Sequence, residues 1–121
     1  MFFKKKSASQ TKLIHYEGLD GFGYDTSCTL ELKDGSITFQ KAKSDMTASF
    51  KVSQIKSVDF MDEITFLTQF HGNAMNAADP GEKFYWILNY LNDAGEAKYV
   101  ALWGNGGHGF MQLIKDQIEQ E

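Results

Sequence analysis

With 121 residues, 42% of them hydrophobic and 14% aromatic, the chain is long enough to bury one core and too rich in aromatics to stay disordered. It carries 12 basic and 16 acidic residues, a formal charge of −4, and every basic residue is a lysine. Without arginine, whose planar fork suits phosphate and guanine, specific nucleic-acid recognition is not expected.

The first 11 residues show no hydrophobic periodicity and read as a flexible leader, with a single domain over residues 12–121. The leader holds Phe2, Phe3, Lys4, Lys5 and Lys6, the one run of lysines in the sequence. Each lysine near an anionic membrane is worth about 1 kcal/mol, so this run implies weak, reversible surface contact at most. Polar Ser7 to Gln10 follow in place of the apolar core of a signal peptide, and no stretch reaches membrane-spanning length. A cytoplasmic location is the expectation.

Strand signals begin near Leu13 to Tyr16. The segment Asp20-Gly21-Phe22-Gly23-Tyr24-Asp25 lacks the bidentate glutamate of a calcium loop and reads as a glycine-rich surface loop. Tyr16, Phe22 and Tyr24 around it are candidate contacts for a partner, unless they tuck beneath the sheet. Next, Cys28, Leu30 and Leu32 alternate with polar residues, Asp34-Gly35 supplies turn chemistry, and Ile37 and Phe39 resume the alternation. That pattern is a hairpin with one buried face. Cys28 is the only cysteine, so it forms no intrachain disulfide and reads as a small buried hydrophobe. Phe50 with Val52, and Val58 with Phe60, mark two more short strands, and residues 62–70 read as a short helix, although Ile64, Phe66 and Thr68 also suit a strand. A long polar loop follows, containing Pro80, the only proline.

A second hairpin runs from Phe84 to Leu91 and from Lys98 to Trp103. It is apolar on both sides: Phe84, Trp86, Leu88 and Tyr90 face one way, while Tyr85, Ile87 and Leu91 face the other. A strand with one wet face alternates more cleanly. Either the segment 62–80 or the terminal helix covers the second face, or Tyr85 and Ile87 belong to a homo-oligomer interface. After the hairpin, Phe110, Leu113, Ile114 and Ile118 recur at helical spacing and predict a helix packed on the sheet.

Several constellations suggest chemistry, and each is incomplete. Gly104-Asn105-Gly106-Gly107-His108-Gly109 reads G-x-G-x-x-G, but a dinucleotide site also needs a returning strand and an acidic residue about 20 positions on. It is read instead as a strand-to-helix joint, and no cofactor is expected. His15, His71 and His108 have no second ligand at metal-binding spacing, so no metal site is expected. There is no Gly-x-Ser-x-Gly elbow, and Cys28 sits in mid-strand, which argues against acyl transfer and for a chain that is not an enzyme.

Seven strands and one closing helix, with patterns such as Leu30-x-Leu32-x-Asp34-Gly35-x-Ile37-x-Phe39 and Phe50-x-Val52, resemble the pleckstrin-homology-like barrel, especially its small stand-alone bacterial versions. The resemblance implies a mainly β, seven-stranded barrel or sandwich plugged by one C-terminal helix and used for lipid, peptide or self-association contacts. Lipid-binding members carry basic residues around the first hairpin loop, where this chain has Glu17, Asp20 and Asp25, a departure that argues against phosphoinositides. The expected function is a non-catalytic module for protein–protein interaction or self-association. The alternatives are a small-molecule-binding barrel, with Trp86 and Trp103 as reporters, and the weak membrane contact described above.

Overall fold

The computed structural model of the chain describes residues 9–72 and 83–119. Four strands, β1 (Gln10–Glu17), β2 (Thr26–Lys33), β3 (Ser36–Lys41) and β4 (Thr47–Lys51), form an antiparallel meander. The β2–β3 turn has two residues, Asp34 at φ 52° and Gly35 at φ 78°. Two positive φ values in succession match the twist of the flanking strands, which is why aspartate and glycine occur there. A 3-10 turn at Val52–Gln54 leads into β5 (Ile55–Asp62), α1 (Glu63–His71), β6 (Phe84–Leu91), β7 (Ala97–Trp103) and α2 (His108–Glu119).

β1 joins the two halves by pairing with both β2 and β7, so the strands form one sheet in the order β4-β3-β2-β1-β7-β6-β5. β4 and β5 are its outer strands, and the sheet is not closed by pairing between them. The chain is therefore mainly β, with seven antiparallel strands in one sheet and a C-terminal helix. β1 begins at Gln10, so Gln10 and Thr11, expected in the leader, are paired with Glu31 and Leu30. The Leu32 N–H also donates to Ser9 O at 2.8 Å. The Phe2, Phe3 and Lys4–Lys6 run and Pro80 lie outside the described residues.

The inner face carries the main core: Leu13, Leu30, Ile37, Phe39, Leu88, Val100 and Leu102 pack with Phe110, Met111 and Ile114 of α2. α2 presents this stripe at the predicted helical spacing and rests on β5 and the Val52–Gln54 turn. Phe22, a candidate partner contact, is part of the same core and 1% exposed, so it takes the tucked position that the sequence held open beside a surface one.

The outer face of the β6–β7 hairpin is also covered, which accounts for its two apolar sides. α1 begins where the Asp62 carboxylate accepts the Thr65 N–H at 2.9 Å. It lays Phe66 and Leu67 over Tyr85, Ile87 and Ala101. Phe66 stacks on Tyr85 with centroids 4.4 Å apart and planes 13° from parallel. Tyr85 and Ile87 are both fully buried, so the second face is sealed within the chain rather than held open for a second copy. No helix among the described residues is long and apolar enough to cross a membrane.

Candidate ligand-binding cleft

Directly opposed residues in an antiparallel ladder share one face of the sheet. On the outer face, Trp103, Ile14 and Ser27 therefore form one row across β7, β1 and β2. Lys12, Thr29 and Gln40 form the next row across β1, β2 and β3. Beyond the end of β3, the Ala42 N–H donates to Ser27 O at 2.9 Å and brings Ala42 and Lys43 beside the first row. Together with Leu13, Cys28, Lys41, Gly104 and Asn105, these residues line an open cleft of about 610 Å³.

Among the described residues, three lysines line the cleft and no acidic residue does. Lys41 is fixed, its Nζ donating to Gly21 O at 3.1 Å. Lys12 and Lys43 are exposed. Trp103 is held by two contacts: its Nε1–H donates to Asp25 Oδ1 at 3.0 Å, and Lys83 Nζ lies 4.3 Å from the ring centre. Lys83 in turn lies 3.6 Å from Glu63 Oε2, which accepts the Tyr85 O–H at 3.3 Å. The cleft wall is thus tied to the α1 side of the sheet. Glu63 is buried, and its Oε1 has no hydrogen-bond partner among the described residues. Burial, with the nearby Glu63 charge adding to it, pushes the Tyr85 phenol well above its usual range.

The β1–β2 loop forms a smaller hollow of about 240 Å³, lined by Tyr16, Gly18 and Tyr24 among others. Tyr24 is 65% exposed, and its ring lies 5.1 Å from that of Tyr16. Tyr16 sits at a β1 bulge and also packs edge-on against Phe66 and Tyr85. Of the five residues the sequence offered as contacts, the fold brings Tyr16 and Tyr24 together at the surface and places Phe22, Tyr85 and Ile87 inside. Beside the hollow, Glu17 Oε2 accepts the Tyr99 O–H and lies 2.8 Å from His71 Nε2, clamping the end of α1 to the sheet.

The remaining candidates have structural partners. The Trp86 Nε1–H donates to Gly106 O at 3.3 Å, so the glycine-rich joint is fastened to the core. His15 is buried and holds the β1–β2 loop. Burial pushes the Cys28 thiol up to about 12, leaving it protonated at neutral pH. Among the described residues, no three His, Cys, Asp or Glu side chains come together in a way that could hold a metal ion.

Lys12 gave no sign in the sequence of lying near Lys41 and Lys43, because the pairing of β1, β2 and β3 and the Ala42 bond to Ser27 set them on one cleft. No protein-family model matches the chain, and no curated protein matches its sequence.

Proposed function

We propose that the chain is a non-catalytic binding module of the pleckstrin-homology-like kind that takes a small ligand in the outer-face cleft. Two meanders joined through β1 and plugged by a terminal helix support the fold reading. The observation that carries the functional reading is the cleft itself. Its volume of about 610 Å³ falls within the roughly 300–1,000 Å³ usual for small-molecule sites. It also combines apolar Ile14 and Trp103 with convergent polar groups from Ser27, Thr29 and Asn105.

The test is a small-molecule screen read by melting temperature, since a ligand of the folded state raises it. Each hit is then repeated on Ser27→Trp, which fills the cleft from an exposed floor position. Hits that stabilise the natural chain and not the variant support the reading. Hits indifferent to the variant sink it.

One observation favours self-association as a second reading. Phe60 and Phe84 are each 43% exposed and stack at 5.3 Å, and Phe60 lies on the outer strand β5. Light scattering over a concentration series, compared with Phe60→Lys, tests it. A monomer at every concentration rejects it.

A further inference from the structure

We infer that the ligand of the cleft is a small organic anion, a carboxylate or phosphate monoester on a flat apolar body, with its charge between Lys12 and Lys43 and its body against Ile14 and Trp103. This rests on the cleft being the binding site. The chain as a whole is acidic, at −4, yet the described residues of the cleft lining include three lysines and no carboxylate. A local reversal of sign against the net charge concentrates anions where a neutral surface would not.

The lysines are not equivalent. Lys41 is engaged with Gly21 O, and Lys83, just outside the cleft, is engaged with Glu63 and the Trp103 ring. The side chains of Lys12 and Lys43 are exposed and have no hydrogen bond or ion pair among the described residues, so their ammonium donors are available to a ligand. Of the described acids beside the cleft, Asp25 holds the Trp103 Nε1–H, and Glu31 lies one row beyond Thr29 on β2. Neither lines the cleft.

The apolar half of the site narrows the class further. Ile14 and Trp103 are cross-strand partners, and they adjoin the row that holds Lys12 and Thr29. A bare inorganic anion would leave them unused. A polyanion such as nucleic acid would call for a longer basic track than the cleft provides. A compact molecule with one anionic end and one flat apolar end uses both rows at once, and the Ser27 and Thr29 hydroxyls can donate to its oxygens.

Isothermal titration of the full chain with naphthoate, naphthyl phosphate and neutral naphthol tests the inference. Both anions are expected to bind about tenfold more tightly than naphthol and to weaken as salt is added. The two anion arms separate carboxylate from phosphate as the preferred head. In Lys12→Gln/Lys43→Gln, two exposed substitutions, the anions are expected to fall to the level of naphthol. The melting temperature of that variant confirms that it folds, and the salt dependence of the natural chain provides a test that needs no variant. Equal binding of naphthol and the anions overturns the inference while leaving the cleft reading intact. Undiminished anion binding by the double variant overturns it too. If none of the three binds, the inference falls, and the melting-temperature screen judges the cleft reading separately.

Discussion

His15 Nε2 accepts the backbone N–H of Leu19 at 3.0 Å, which puts the imidazole proton on Nδ1, facing Gly23 O at 2.7 Å. One neutral ring thus ties both ends of the β1–β2 loop to β1. Burial drives the His15 pKa below 6.5, outweighing the smaller opposing effects of the Gly23 carbonyl and the Glu17 charge. Below 6.5 the unfolded chain takes up a proton that the folded chain resists. This contribution to stability is therefore complete above 6.5 and declines as pH falls beneath it. Denaturant titrations between about pH 8 and about pH 5 should show that decline, and His15→Gln should reduce it. The variant should also be less stable at the alkaline end, by about 2–4 kcal/mol, because it strands buried backbone groups.

Gly18 and Gly35 both have positive φ, at 117° and 78°, but only Gly18 is crowded. A Cβ there would lie 2.3 Å from Tyr99 O and 2.7 Å from Val100 Cα, both in the backbone, whereas nothing lies within 4 Å of one at Gly35. Gly35→Ala should cost about 1 kcal/mol from strain alone. Gly18→Ala should cost about 3 kcal/mol or more, since β1 and β7 would have to separate. Equal urea midpoints for the two variants would refute this.

Phe66 is fully buried against Tyr85, while Ile64, two residues away on the same helix, is 42% exposed. Phe66→Ala should lose about 3–5 kcal/mol, and Ile64→Ala less than about 1 kcal/mol. The first variant should also speed hydrogen exchange at β6 amides near Tyr85 and Ile87, because α1 is their cover. Unchanged exchange would show that α1 contributes little to sealing that face.

Cys28 is 2% exposed, with its thiol pushed up to about 12 by burial. It should resist alkylation in native buffer and react promptly in denaturant. Rapid native labelling would mean that β2 opens far more readily than its core position implies.

Much of the fold was legible in the sequence. The alternation of Cys28, Leu30 and Leu32 with Ile37 and Phe39 fixed the first hairpin, and the double-sided pattern from Phe84 to Leu91 required a second cover, which α1 supplies. The fate of single aromatics was not legible. Phe22 and Tyr24 are neighbours but one residue apart in a glycine-rich loop, and which of them turns inward depends on the bonds His15 makes, not on periodicity. The cleft was hidden for a different reason. Lys12 stands alone along the chain, and strand register, with the Ala42 N–H bond to Ser27 O beyond β3, sets it on the same cleft as Lys41 and Lys43.

The pairing of Ile14 with Trp103 has a consequence for how the protein reaches this structure. It joins the first strand to the last, so neither meander has a complete neighbour set until nearly every strand exists. A contact this distant in sequence demands a large loop closure before it returns any free energy, which slows folding. The same contact makes one row of the cleft floor, so the site draws on both meanders and cannot be carried by either half alone.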